Sequence, residues 1–487
     1  MTRLLLLLSA AVAFAQPPFA PFGVILRDAP TKVTKTVAPG SLISITPTAP
    51  ELQSLAGVTV TMRYQAADPF RPLATFPAPD GVGLWAVVPK DAPLGDFWVT
   101  LFRGDVTYTD FAIIQRTAPG LFAARSTFGT ALALTYGNGS PSRLALTSAA
   151  VPGRFVALFA TGLNDARAGD VTLDIAGQTV PASYAGPQAT PGVDQINFVV
   201  PLDAYLGCYV PVTIRVRGVA SNAVSLPING DPFACAHPLG LSYSEMKTLD
   251  AGGAIPFAEL TAVALRRDAQ LVGESFRLFF TAADATAIAL SAGYQVPDSV
   301  RLGCTTSASG AAGGFARNLF PTGGPIVLSG PRGQETELQP PYSTPLPSLP
   351  APFYSPGEWR IRASDGPVFR AFERSFPLPA VIDSINIAPG GTVSSEQELE
   401  ILWNADVFGP SDLVVVTGSG ATCTTEGWRG RVALPKPLRP SVSGEVTVTL
   451  VPHPAGRTLF RLPMQDGTTI PGMAGYYFWL AVSFQVR

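Results

Sequence analysis

Val87-Val88-Pro89-Lys90-Asp91-Ala92-Pro93-Leu94-Gly95 recurs 112 residues later as Val199-Val200-Pro201-Leu202-Asp203-Ala204-Tyr205-Leu206-Gly207. The paired valines are typical of the end of a buried strand. Proline lacks an N–H and stops a strand ladder, and glycine tolerates a positive φ. The element therefore predicts a strand, a turn and a second strand, at two places in the chain.

A second landmark repeats at nearly the same spacing. Pro39-Gly40 has its counterpart at Pro152-Gly153, an offset of 113. Two landmarks at one spacing indicate two homologous units of about 110 residues, a length typical of an immunoglobulin-like sandwich. We place the diverged first repeat at 16–117 and the second at 118–229.

The remaining chain also favours strands. Gly (47) and Pro (48) are abundant in an otherwise hydrophobic sequence, which is typical of short strands joined by turns. We expect an all-β protein of tandem immunoglobulin-like sandwiches, with a third unit at 230–384 and a fourth at 385–487. The third contains a proline-rich stretch, Pro340–Pro356, interpreted as a solvated loop. Ser275–Ala292 is ambiguous between strand and helix.

The first 15 residues have the pattern of a secretory signal peptide. Arg3 precedes an apolar run from Leu4, and Ala13-Phe14-Ala15 offers small residues for cleavage. The run is shorter than the roughly 20 residues of a membrane-spanning helix, although an uncleaved anchor is the alternative. We expect an exported protein, in the periplasm, on the outer surface or outside the cell, without a membrane span after cleavage.

Four cysteines favour disulfides in an exported chain. Cys208 and Cys235 flank two strand-like runs, Val210–Val216 and Ala220–Ile228. A hairpin turning near Arg217-Gly218 would bring the two cysteines together. Cys304 with Cys423 follows only by exclusion, and would join the third predicted unit to the fourth.

Charge excludes two classes of partner. Only 14% of residues are charged and the net charge is −2. Such a chain lacks the basic surface that would attract nucleic acid or anionic lipid. We expect an unidentified protein or polysaccharide partner at the cell surface.

The second repeat contains an ordered set of short motifs: Thr117-Ala118-Pro119-Gly120-Leu121-Phe122, Pro152-Gly153, Ala160-Thr161-Gly162-Leu163, Ala185-Gly186, Asp194-Gln195-Ile196-Asn197-Phe198 and Val200-Pro201. With these motifs it resembles a domain of uncharacterised exported proteins of Acidobacteria, which is similar to the immunoglobulin-like IPT/TIG group. The resemblance covers 118–229 well and 20–117 loosely, where Gly83-Leu84-Trp85-Ala86 lacks the Gln-x-Asn element. Residues 230–487 resemble the companion C-terminal part, notably at Leu328-Ser329-Gly330-Pro331, Pro356-Gly357-Glu358-Trp359 and Leu402-Trp403. The resemblance implies an immunoglobulin-like fold and an exported protein, and no catalytic residues.

The sequence offers little for catalysis. It has two histidines, His237 and His453, and no common nucleophile, nucleotide or zinc motif. We therefore expect no enzyme, cofactor or metal site. Two alternatives remain: calcium bound by Asn164, Asp165 and Asp170, and a carboxylate hydrolase using residues such as Glu396, Glu398 and Glu400, which we expect to face water.

Trp428 is the one candidate ligand contact, because it lies in a turn, whereas the other five tryptophans lie in strand-like runs and are interpreted as core. We expect a non-catalytic exported or cell-surface protein, with modules acting in adhesion or as spacers. The alternative is a carbohydrate-binding protein accessory to extracellular polysaccharide hydrolases.

Overall fold

The protein is all-β, built of tandem β-sandwich domains with two short α-helices in its described part. The predicted signal segment and most of the proline-rich stretch lie outside the described residues. The computed structural model describes residues 24–30, 32, 34–49, 52, 55–65, 67–79, 81, 83–124, 129–136, 140–268, 270–291, 303–305, 324–339, 353–394, 399–409, 412–418, 421–434, 443–452 and 457–486.

The first repeat packs two sheets, of order β1-β3-β7-β6 and β2-β9-β8-β4-β5. Alternate residues along the strands meet in one core, as expected for a sheet with one buried face. Its strands are β1 (Val24–Asp28), β2 (Thr36–Val37), β3 (Leu42–Pro47), β4 (Thr59–Arg63), β5 (Arg71–Pro72), β6 (Thr75–Pro77), β7 (Leu84–Val87), β8 (Gly95–Arg103) and β9 (Val106–Ile114).

The second repeat has the same two-layer construction. One sheet has the order β12-β11-β13-β17-β16, with β10 on β13, and the other β15-β14-β18-β19, with β20 on β18. A separate core lies between them. Its strands are β10 (Gly120–Leu121), β11 (Ala133–Tyr136), β12 (Pro141–Arg143), β13 (Phe155–Thr161), β14 (Val171–Ile175), β15 (Gln178–Pro181), β16 (Tyr184–Pro187), β17 (Asp194–Val199), β18 (Gly207–Val216), β19 (Val219–Ala220) and β20 (Val224–Ile228).

The repeated sequence element forms the same structure twice. A strand ends at the first valine and the next strand begins at the glycine, as predicted. The second landmark bonds to this element in both repeats. Gly40 N–H donates to the Val88 carbonyl at 2.9 Å, and Gly153 N–H to the Val200 carbonyl at 2.8 Å.

The first joint connects the two repeats through a small apolar contact. Leu42 and Trp85 of the first repeat pack with Phe122 and Phe159 of the second. Thr161 secures the joint, since its hydroxyl oxygen accepts from the Leu42 N–H at 2.9 Å. The repeats are therefore packed together and not merely tethered.

The second joint contains helix α1 (Tyr243–Asp250), which begins at Ser242 in a capping box with Glu245. Asp250, at the end of α1, accepts from the Leu146 and Thr147 N–H groups of the second repeat, both at 2.9 Å. Arg461 binds both Glu245 carboxylate oxygens, at 2.8 and 3.1 Å. Helix α1 thus links the second repeat to the C-terminal part.

The C-terminal part has one core that extends across the predicted division at residue 384. Its nine-stranded sheet has the order β22-β21-β35-β33-β30-β31-β23, with β28 and β34 also on β35; β25-β24-β26-β27 and β29-β32 are smaller sheets. Its elements are β21 (Ile255–Arg267), β22 (Gln270–Ala283), α2 (Ala285–Ser291), β23 (Gly303–Thr305), β24 (Ile326–Ser329), β25 (Glu335–Leu338), β26 (Gly357–Ala363), β27 (Phe372–Leu378), β28 (Gly391–Val393), β29 (Leu399–Leu402), β30 (Asp412–Gly418), β31 (Ala421–Glu426), β32 (Arg431–Leu434), β33 (Ser443–Pro452), β34 (Thr458–Pro463) and β35 (Thr469–Val486).

The prediction of separate units at 230–384 and 385–487 is therefore wrong. The parallel pairing of β21 with β35 joins residues on both sides of the predicted boundary, such as Ala258 and Gly472. The ambiguous segment from Ser275 is also resolved: it completes β22 and then forms α2.

The disulfide between Cys208 and Cys235 is confirmed, with a Cα–Cα distance of 5.2 Å. The predicted hairpin forms it, since β18 pairs with β20 and both Arg217 and Gly218 have positive φ at the turn. Cys423 is also disulfide-bonded, and the register places Cys304 directly opposite it. The disulfide between Cys304 and Cys423 stays a prediction, but it would join neighbouring strands of one sheet and not two domains.

Candidate functional site

Trp428 lies in a one-turn 3-10 helix, Gly427–Arg429, between β31 and β32. Its side chain is 48% exposed. The turn therefore presents an indole ring to solvent, at the place where the sequence suggested a loop aromatic.

Buried contacts fix this turn from below. Trp403 is buried, and its indole N–H donates to the Gly427 carbonyl at 2.8 Å. A Cβ on Gly427 would lie 3.0 Å from that of Phe408, so a larger residue would not fit without a shift. Gly430 ends the turn at φ 67°. Trp428 therefore projects from a rigid base.

Charged groups surround the ring, and with Trp428 they form the Trp428 site: Glu400, Glu426, Arg429 and Arg431. The Arg429 guanidinium lies 5.0 Å from the indole centroid and pairs with Glu426. Arg431 pairs with Glu400 at 3.7 Å. Glu400 comes from the separate strand β29, which pairs with β32.

This arrangement suits binding better than hydrolysis. An exposed indole offers an apolar face, and guanidinium and carboxylate groups at its edge can donate to and accept from hydroxyls. Each carboxylate already pairs with an arginine. The depression beside the ring is open and lined by Val432 and Ala433 besides the charged residues. It does not enclose a substrate as deep ligand pockets do.

Sequence reasoning found the ring but not the whole site. Arg429 and Arg431 stand beside Trp428 in the sequence and could have been included. The sequence predicts Glu400 as a water-facing strand residue, and it is exposed. Only the β29–β32 pairing brings it to the site. Glu396 and Glu398 lie outside the described residues.

The other tryptophans are not all core residues. Trp359 and Trp403 are buried as predicted. Trp85 instead lies in the first joint, with its ring 5.7 Å from that of Phe122. Trp98 and Trp479 are only partly buried, Trp98 beside Phe111 and Trp479 beneath Arg267.

The candidate calcium ligands are engaged by an arginine. Arg217 donates to Asp165 at 2.6 Å and to Asp170 at 3.1 Å, while the Asn164 amide donates to the Arg116 carbonyl. The hydrogen bonds from Arg217 hold the pKa of both carboxyls below its usual value. A guanidinium thus already pairs with both carboxylates that a cation would need. Within the described ranges, no group of three or more potential metal-binding side chains is present.

His237 is a structural residue of the second joint. Its Nδ1 accepts from the Leu239 N–H at 3.1 Å, and its Nε2 lies 2.9 Å from the Tyr209 hydroxyl. Burial lowers the pKa of His237 to about 4, so the ring is neutral at neutral pH. His453 lies outside the described residues.

No helix in the described ranges is both long and apolar enough to cross a bilayer.

No protein-family model matches the chain, and no curated protein sequence matches it.

Several solved structures share a limited likeness. SGBP-B of the Bacteroides ovatus mixed-linkage glucan utilization locus, solved with a mixed-linkage heptasaccharide, is 16% identical; the match covers 42% of this chain and 46% of SGBP-B, with a TM-score of 0.23. A chimeric titin Z1Z2 is 12% identical over 41% of this chain and 93% of titin's, with a TM-score of 0.13. This chain thus matches less than half of SGBP-B, and TM-scores this low define neither its fold nor its ligand.

Proposed function

We propose that the chain is a non-catalytic exported or cell-surface protein whose sandwiches form a stiff spacer for adhesion. The observation that carries this proposal is the packing of both joints. Leu42 is buried in the first joint, and Asp250 bonds across the second. A spacer with packed joints holds its ends at a fixed separation, whereas flexible linkers would not.

Two further observations support export. The Cys208–Cys235 disulfide is typical of oxidising compartments outside the cytoplasm. The sequence also begins with the signal-like segment described above.

Small-angle X-ray scattering of the full chain tests stiffness. We expect a single elongated envelope, and Asp250→Ala should broaden the distribution of interatomic distances because three bonds to Leu146 and Thr147 are lost. Asp174→Ala is the control, since the Asp174 carboxylate accepts from the Gly177 N–H within one turn. A broad distribution for the unaltered chain would contradict a stiff spacer.

A second function, binding of polysaccharide, is favoured by the exposed Trp428 ring and the donors and acceptors around it. Affinity electrophoresis and pull-down with a panel of soluble and insoluble polysaccharides test it. Retention on one polysaccharide should disappear in Trp428→Ala, because the apolar platform is removed.

Tyr477→Ala is the matched control, since Tyr477 is 44% exposed on β35. Circular dichroism checks that both variants fold. If Trp428→Ala is retained like the unaltered chain, or if no polysaccharide retains either, this second function is rejected. Turnover of a glycoside that a single Asp or Glu change abolishes would overturn the non-catalytic proposal.

A further inference from the structure

An exposed apolar surface lies at one end of the second repeat. We name it the Phe155 patch; it consists of Phe155, Val199, Leu202, Tyr205 and Leu206, all of them exposed. Phe155 and Val199 are directly opposite each other on β13 and β17. The other three belong to the turn that follows β17.

The strand and turn parts of the patch meet at Leu202. A Cβ built on Gly153 would lie 2.9 Å from the Cδ2 of Leu202, so Leu202 lies over the residues that lead into Phe155. The Tyr205 ring lies near Gly207 on the other side of the turn. Monomeric proteins rarely leave large apolar side chains clustered in water, and such clusters mark interaction surfaces.

The first repeat has the equivalent surface, and there it is covered. Leu42 corresponds to Phe155 and Val87 to Val199, at offsets of 113 and 112, and Leu42 and Val87 are likewise opposite each other. Leu42 is 1% exposed, whereas Phe155 is 53% and Val199 37% exposed.

The cover in the first repeat is a sandwich domain. A Cβ built on Gly192 of the second repeat would lie 2.7 Å from Leu42 Cγ and 3.3 Å from Val87 Cγ2. The homologous surface of the second repeat is exposed, and no domain in the described ranges covers it. The C-terminal part attaches elsewhere, through α1.

The turn differs between the repeats in a way that enlarges this surface. Leu202 and Tyr205 stand where the first repeat has Lys90 and Pro93. The second repeat therefore has two large apolar side chains at positions where the first repeat has a charged residue and a small one.

The flanking charges indicate what the partner is. Arg154 and Asp203 border the patch, are exposed, and form no ion pair with any residue in the described ranges. In a two-fold symmetric contact the same surface meets itself, so residue i of one copy faces residue j of the other. Arg154 precedes Phe155 and Asp203 follows Leu202, so a two-fold contact centred on the patch can set each charge against the opposite charge of the other copy.

We propose that the Phe155 patch is the two-fold interface of a homodimer, in which the second repeats of two copies pack together and Arg154 of each copy pairs with Asp203 of the other. The dimer would carry two spacers projecting from one central contact. This inference does not depend on what Trp428 binds.

Sedimentation equilibrium of the full chain tests the interface, at concentrations from about 1 to 100 µM. We expect a monomer–dimer equilibrium that Phe155→Asp weakens at least about ten-fold, because a charge would be buried in the apolar centre. Val272→Asp is the control, since Val272 is 52% exposed in the C-terminal part, and it should leave the equilibrium unchanged.

Charge exchange tests the two-fold geometry separately. Arg154→Asp and Asp203→Arg should each weaken the dimer, and the double variant should restore it, because like charges become opposite again. A monomer at every concentration, a dimer that Phe155→Asp leaves intact, or a double variant no better than the single ones would overturn the proposal.

Discussion

Gly192 of the second repeat lies directly against Leu42 of the first, with a positive φ of 77°. Any side chain at this position would meet Leu42 and Val87, and would also be strained in its backbone. We expect Gly192→Ala to loosen the first joint and lower stability by about 2–4 kcal/mol, from backbone strain and overpacking together.

Gly177→Ala separates the two causes. Gly177 has φ 91° but nothing within 4 Å of a built Cβ, so only backbone strain of about 1–2 kcal/mol applies. Urea unfolding followed by tryptophan fluorescence measures both variants. Equal losses of unfolding free energy for the two variants would show that the contact with Leu42 contributes nothing to the cost of Gly192→Ala.

Asp194 should make the stability of the second repeat depend on pH. Burial raises the pKa of this carboxyl to about 6, against the smaller opposing effects of the Leu163 N–H, 3.0 Å away, and of Lys90. Because the folded pKa exceeds the unfolded one, the stabilisation is complete below about pH 4 and is lost as pH rises through about 6.

Asp194→Asn should therefore flatten the pH profile of the unfolding free energy, which falls by on the order of 2 kcal/mol in the unaltered chain between those limits. Urea unfolding at several pH values from about 4 to 7 measures the slope. An unchanged slope in the variant would assign the pH dependence to other groups.

The Cys208–Cys235 link closes a loop with a sequence separation of 27. The double change Cys208→Ser with Cys235→Ser should cost about 3.5 kcal/mol, because the unfolded chain regains the freedom that the closed loop removes. Thermal unfolding with and without reductant measures this loss. A reductant effect as large in the double variant as in the unaltered chain would trace it to another disulfide.

Cys304 and Cys423 should be recovered as one linked peptide after non-reducing digestion and mass spectrometry. Directly opposite residues on antiparallel strands have Cα atoms about 4.5–5.5 Å apart, within the range that a disulfide spans. A peptide linking Cys304 to any other cysteine would contradict the pairing.

The sequence predicts the two repeats well because their signals are local. Val87–Gly95 and Val199–Gly207 contain the strand end, the ladder-stopping proline and the turn glycine within nine residues. The Arg217-Gly218 turn likewise sets the hairpin that brings Cys208 to Cys235. Turn chemistry and strand pattern act over a few residues and are readable directly.

The predicted division of the C-terminal part at residue 384 is wrong because the contact that joins its two halves is long-range. Parallel strands need no hairpin, so nothing near β21 in the sequence marks β35 as its neighbour. The sequence around Glu400 likewise does not predict its place beside Trp428, because the pairing of β29 with β32 that brings them together joins distant segments. The site's aromatic residue was predictable from its turn, and its distant carboxylate was not.

The central place of β35 has a consequence for biosynthesis. Because β21, β28, β33 and β34 all pair with Thr469–Val486, the large sheet cannot form until that segment has left the ribosome. The two repeats contain their own cores and can close earlier during vectorial synthesis. A nascent chain halted before residue 469 would therefore present two finished sandwiches followed by unpaired strands, a form prone to aggregation and to proteolytic quality control.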